Sequence, residues 1–133
     1  MNQVGNLIRA VALLVVATST PIPALAWEDL PGPKLREMLT GRTIFYEDGA
    51  YRKFGEKTYR AWKGTEMDGR GKWRIRNNRL CTTWRGRDVR SGKNITRASW
   101  WCETVQWDRK TKRLRFITDN NQIWVARFVR TKN

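Results

Sequence analysis

The chain predicts an all-β fold, mainly antiparallel: a small up-and-down barrel of about eight strands with one short N-terminal helix. Three observations lead there. From Thr43 onward, apolar residues recur with a period of two rather than 3.6. Turn-forming pairs such as Asp48-Gly49 and Asn77-Asn78 break that pattern at short intervals. Good helix formers gather in only one stretch, Lys34–Leu39. A meander of short strands must dispose of its edges, and closure into a barrel does so economically. A two-sheet sandwich is the alternative.

Trp27–Pro33 is a proline-rich lead-in. Lys34–Leu39 places Leu35, Met38 and Leu39 at helical spacing, and Gly41 stops it. Thr43–Glu47 is β-branched and aromatic, Asp48-Gly49 turns, and Ala50–Phe54 returns. Gly55-Glu56 is a second tight turn before Lys57–Lys63. Gly64–Gly71, with three glycines and no apolar period, reads as a loop. Lys72–Arg76 and Arg79–Arg85 form the clearest hairpin, joined at Asn77-Asn78. Gly86–Lys93 is a polar, basic loop. Thr96–Trp107 is a long strand whose parity shifts midway, which calls for a bulge or bend. Arg113–Thr118 and Gln122–Arg130 complete the set. Alternation assigns Trp73, Ile75, Leu80, Trp84, Leu114, Phe116 and Trp124 to the core. In the Trp100-Trp101 pair, one ring must point outward, because successive strand side chains face opposite ways.

Residues 1–26 have the pattern of a secretory signal peptide. Arg9 and the amino terminus give a positive start, Ala10–Ala17 is a short apolar run, and Ala24-Leu25-Ala26 supplies the small residues that precede cleavage. The run is far shorter than the ~20 residues needed to span a bilayer. Cleavage after Ala26 leaves a single domain, residues 27–133, periplasmic or secreted, with no transmembrane segment. Export makes a disulfide the expected state of Cys81 and Cys102, the chain's two cysteines.

Charge and composition narrow the chemistry. The chain has 27 lysines and arginines, 12 acids and no histidine. Without histidine there is no Ser-His or Cys-His nucleophile and no His-based zinc site. The acidic pairs Glu47/Asp48 and Glu66/Asp68 lie at a hairpin turn and in a glycine-rich segment, where they read as structural. The domain is therefore read as non-enzymatic, with neither metal nor cofactor. The basic surplus creates a positive surface field. Arg74, Arg76, Arg85, Arg87, Arg90, Arg113 and Arg115, with Trp101, form the candidate polyanion-binding set. The arginine fork suits phosphate and carboxylate, and an exposed tryptophan stacks on sugars. Nucleic acid is the weaker polyanion, given export and the absence of a recognition helix or an RNA-binding strand signature.

An L-x-G-R-T entry (Leu39–Thr43), a Y-x-D-G-x-Y hairpin (Tyr46–Tyr51), G-x-W-R-I (Gly71–Ile75), R-L-C-T-T-W (Arg79–Trp84) and W-C-E-T-V (Trp101–Val105) span most of the domain. In these the chain resembles a family of small exported proteobacterial domains of unknown function with a lipocalin-like β-barrel. The resemblance implies export and a barrel, and it implies no activity. The expected function is binding of an anionic cell-envelope component: lipopolysaccharide, acidic polysaccharide or anionic lipid. The alternative is a protein-interaction role, as a periplasmic inhibitor or assembly factor, through the Gly64–Gly71 and Gly86–Lys93 loops. A third class, carriage of a small ligand inside the barrel, needs an interior not filled by its own Trp and Phe side chains.

Overall fold

The structure is a computed structural model and describes residues 26–88 and 91–131. Almost all of the leader assignment thus lies outside the described residues. The elements are β1 (Glu28–Asp29), α1 (Gly32–Leu39), β2 (Thr43–Tyr46), β3 (Tyr51–Phe54), β4 (Thr58–Lys63), β5 (Met67–Arg76), β6 (Arg79–Arg87), β7 (Asn94–Asp108), β8 (Arg113–Ile117) and β9 (Ile123–Phe128). From β2 to β9 each strand pairs antiparallel with the next, and β9 returns to pair with β2. The result is a closed eight-stranded up-and-down barrel. No described helix is long and apolar enough to cross a membrane.

The turns follow from their residues. Asn77 and Asn78 both adopt positive φ, 51° and 57°, as a two-residue hairpin turn between twisted strands demands. At the β2–β3 turn, Asp48 Oδ1 accepts from the Ala50 amide at 3.0 Å and Gly49 takes φ 96°. At the β7–β8 turn, Asp108 accepts from the Thr111 hydroxyl and from the Thr111 and Lys110 amides. The Thr111 bonds lead the set that holds its carboxyl below the ordinary carboxylate range.

α1 closes one end of the barrel. It begins two residues earlier than the helix formers alone suggest, because Pro33 in its first turn carries a preset helical φ. Its Leu35 and Leu39 are fully buried with Ile44, Phe54, Leu80, Leu114, Phe116 and Val105. The Gly32 amide donates to Asn78 Oδ1 at 2.8 Å, and the Arg36 guanidinium to the Glu56 carbonyl, which fastens the plug to the turns beneath it. β1 appears where only a lead-in was expected. β6 ends its pairing at Thr104, and β1 takes the vacant edge of β7 beyond it, with Glu28 opposite Trp107.

Three sequence expectations need correction. The Gly64–Gly71 loop is mostly strand: residues 67–71 are the first half of β5. Glycine there signals close approach, not a loop. A Cβ on Gly69 would sit 2.3 Å from the Trp84 ring, which lies across the bare backbone. Trp124 is not core; it is 37 % exposed at the open end of the barrel. Its strand parity is inward, but the strand outruns the filled part of the interior. Ile75 and Trp84 are half-buried, packed against the core rather than inside it.

The long β7 carries its bulge. Thr82 faces Trp101 while Trp84 faces Arg97, so three β7 residues oppose one on β6. The bulge follows the parity shift in the sequence. It turns Trp100 outward, where the Arg74 guanidinium stacks 3.9 Å from its ring. Next to it Cys81 and Cys102 oppose each other across β6 and β7 and are disulfide-bonded. Replacing both by alanine is expected to lower stability by about 3 kcal/mol, the closure term for a loop of this size. Urea unfolding of the two proteins measures it; an unchanged midpoint would show that the crosslink adds nothing.

Candidate functional site

Outward side chains on neighbouring strands of a barrel line up in rows across the ladder. One such row is Lys53, Arg60, Arg70 and Arg85, on β3, β4, β5 and β6. Lys53 faces Arg60, Arg60 faces Arg70, and Arg70 faces Arg85. At ~4.8 Å per strand the row is about 15 Å long. Like charges in directly opposed positions are destabilising, so such a row opposes folding unless something offsets it. Asp68 does so in part. It accepts from Arg60 Nε and Nη2, both at 3.0 Å, and that pairing holds its carboxyl below the usual range. These four cations and Lys72 line an outer groove of about 760 Å3. The groove lies where the β5–β6 ladder opens between the Arg70–Arg85 and Trp73–Thr82 pairs. There Lys72 turns its amide to Thr83 Oγ1 at 2.9 Å, and the Tyr59 hydroxyl donates to the Thr83 carbonyl at 2.6 Å.

An aromatic row lies beside the cationic one. Phe45 faces Tyr51 and Tyr51 faces Trp62, on β2, β3 and β4. Ring centroids are 4.8 Å and 5.3 Å apart, and the Tyr51 and Trp62 planes are stacked. Arg60 joins the two rows, its guanidinium 5.2 Å from the Trp62 ring.

The residues chosen from sequence divide among different places. Arg74, Arg76, Arg85 and Arg87 share the outer face of β5 and β6. Of these, Arg74 is held over Trp100 and Arg87 donates to the Thr65 carbonyl at 3.1 Å. Arg113 and Arg115 lie on β8, beyond β7, and are engaged elsewhere. Arg113 pairs with Glu47 at 3.3 Å, and Arg115 binds Gln106 and stacks on Trp27 at 4.7 Å. Arg90 lies outside the described residues. Trp101 belongs to the inner face, at the mouth of the barrel. Lys53, Arg60 and Arg70 were absent from the sequence set. Arg70 was hidden by reading its segment as a loop; the other two become visible only once the register aligns them.

The barrel interior is divided by a buried ion pair. Arg52 and Glu103, with side chains 17 % and 8 % exposed, meet at 3.3 Å. The Arg52 guanidinium lies 5.3–5.9 Å from the rings of Tyr46, Phe54, Tyr59 and Phe116. Burial opposes its charge, but the Glu103 carboxylate faces it and accepts its hydrogen bond, and its pKa is raised on balance. Burial also pushes the Tyr46 phenol up, so it stays protonated. Below this layer the core is filled. Above it is an open pocket of about 270 Å3. The inner row continues across the sheet from Arg52 through Ala61, Gly69, Gly86 and Ile95; Ala61 and Ile95 line the pocket, and Gly69 makes way for the Trp84 ring that forms one wall.

The first loop expected to meet a protein partner is no long projection, since residues 67–71 belong to β5. β6 extends through Arg87 into the second, whose residues 89 and 90 lie outside the described set. No protein-family model, curated protein or solved structure matches the chain.

Proposed function

We propose that the domain is a non-enzymatic, exported binding protein for an anionic cell-envelope component, held along the outer row Lys53, Arg60, Arg70 and Arg85. The row itself carries this reading: four directly opposed cations with a single close carboxylate, Asp68, among the described residues. An arrangement that works against folding is accounted for when a partner supplies the missing negative charge. The neighbouring Phe45–Tyr51–Trp62 row favours an acidic polysaccharide, because sugar rings stack on aromatic faces while arginine forks hold carboxylate, sulfate or phosphate. Lipopolysaccharide and anionic lipid offer the same charges. The disulfide is compatible with an oxidising compartment, in keeping with export.

Retention on heparin and on lipopolysaccharide resin against rising salt tests the proposal. The parent is expected to bind at low salt and to elute steeply as screening increases. The Arg70→Gln/Arg85→Gln variant is expected to elute earlier. Its fold should persist, since relieving opposed like charges removes repulsion. An Arg113→Gln/Arg115→Gln control should elute with the parent. Equal elution of all three would remove the row as the site. Absence of retention at low salt would leave solubility as the role of the charge.

A further inference from the structure

The open end of the barrel is a second site, chemically unlike the outer row. At its floor are two buried hydrogen-bond donors without a partner among the described residues, the Tyr46 hydroxyl and Arg52 Nε–H. Tyr46 is 7 % exposed and lines the pocket. A buried polar group without a partner costs about 1–3 kcal/mol, so this floor is poorly designed as core and well designed as a receptor. The walls are mainly aromatic, with Asp48, Asp88 and Arg97 also lining the pocket. Trp84, Trp101 and Trp124 line the pocket, with the last two 40 % and 37 % exposed. Arg97 stacks over Trp101 at 5.3 Å and steadies that ring at the rim. Exposed indole rings converging on one opening form the kind of apolar surface that marks a ligand site.

We propose that this pocket binds a small, flat, largely apolar molecule that ends in an uncharged oxygen acceptor: an aryl amide, ester or ketone. The acceptor follows from the floor, where the Tyr46 hydroxyl and Arg52 Nε–H meet no oxygen, although the other end of the Arg52 guanidinium is bound to Glu103. The lack of charge follows from Glu103. It already neutralises Arg52 at 3.3 Å, so a carboxylate arriving at the same floor would meet a second carboxylate in a poorly solvated space. The flat shape follows from the three indoles, and the size from a volume of about 270 Å3, which suits a two-ring body. The proposal is independent of the outer row, which lies on the other face of the sheet.

The test uses the disulfide-bonded protein and three probes of one shape: 2-naphthamide, 2-naphthoate and naphthalene. Indole N–H resonances in proton–nitrogen NMR report occupancy, and calorimetry gives the constants. Saturable binding is expected, tightest for 2-naphthamide. Tyr46→Phe is expected to weaken 2-naphthamide about three- to ten-fold, the worth of one neutral hydrogen bond, and to leave naphthalene unchanged. That variant should melt no lower than the parent, because it deletes a hydroxyl that has no partner. If it does not fold, Trp124→Ala at the exposed rim serves instead and is expected to weaken all three probes. The proposal is overturned if no probe saturates, if 2-naphthoate binds tightest, if Tyr46→Phe weakens every probe alike, or if Trp124→Ala weakens none.

Discussion

Replacing Glu103 by leucine is expected to lower stability by about 3–5 kcal/mol, the usual consequence of stranding one member of a buried ion pair. Arg52 lies in the middle of the barrel with only 17 % of its side chain exposed, and Glu103 is its one salt-bridge partner among the described residues. The four rings around the guanidinium attract the cation, but they cannot replace a carboxylate. Domains of this size are stable by ~5–15 kcal/mol, so the single variant should sit close to unfolding. The double variant Arg52→Met/Glu103→Leu is expected to recover most of the loss, because an apolar pair of similar volume carries no desolvation penalty. Urea unfolding of parent, single and double variants gives the cycle. If Glu103→Leu loses less than ~1 kcal/mol, the guanidinium does not depend on this carboxylate.

Trp73→Ala is the second large effect, again about 3–5 kcal/mol. Trp73 is 2 % exposed and sits on β5 between the plug and the barrel core. Its ring meets Phe54 edge-on at 5.2 Å, and Arg36 of α1 lies 4.8 Å above it. Its indole N–H donates to the Gly55 carbonyl at 3.0 Å, so truncation also orphans an acceptor in the β3–β4 turn. Trp73→Phe should fall between the two, keeping most of the apolar contact and losing the hydrogen bond. Thermal melts of the three proteins rank them. Equal melting of parent and alanine variant would mean that α1 is not docked through this ring.

The strands from β6 onward and the Asn77-Asn78 hairpin were legible in the sequence because alternation and turn chemistry agree there. The bulge in β7 was legible as a slip of parity. What misled was glycine. Gly69 and Gly71 read as loop because they lack apolar period. Their role is to let Trp84 and Thr83 pack directly on the β5 backbone, a contact invisible until both strands are placed. Trp124 misled for a different reason. Parity says which face a side chain takes, not how far up the barrel the core extends. The candidate sites were the least legible part. Arg85 was chosen for its charge. Its neighbours Lys53, Arg60 and Arg70 became a row only through pairings between strands distant in sequence. The Arg52–Glu103 pair likewise links β3 to β7, and nothing local to either residue announces the other.

The β2–β9 seam has a kinetic consequence. Every other pairing around the barrel except those of β1 joins consecutive strands and can form soon after its turn. The seam pairs Ile44 with Phe128, from nearly opposite ends of the domain. Its closure must overcome the entropy of nearly the whole intervening chain before any contact compensates, the circumstance that makes β topologies slow folders. The Cys81–Cys102 crosslink shortens that path only by the hairpin it closes, and the dependence on loop length is logarithmic. Oxidised and reduced chains should therefore close the seam at similar rates, with the bond acting chiefly on the rate of unfolding.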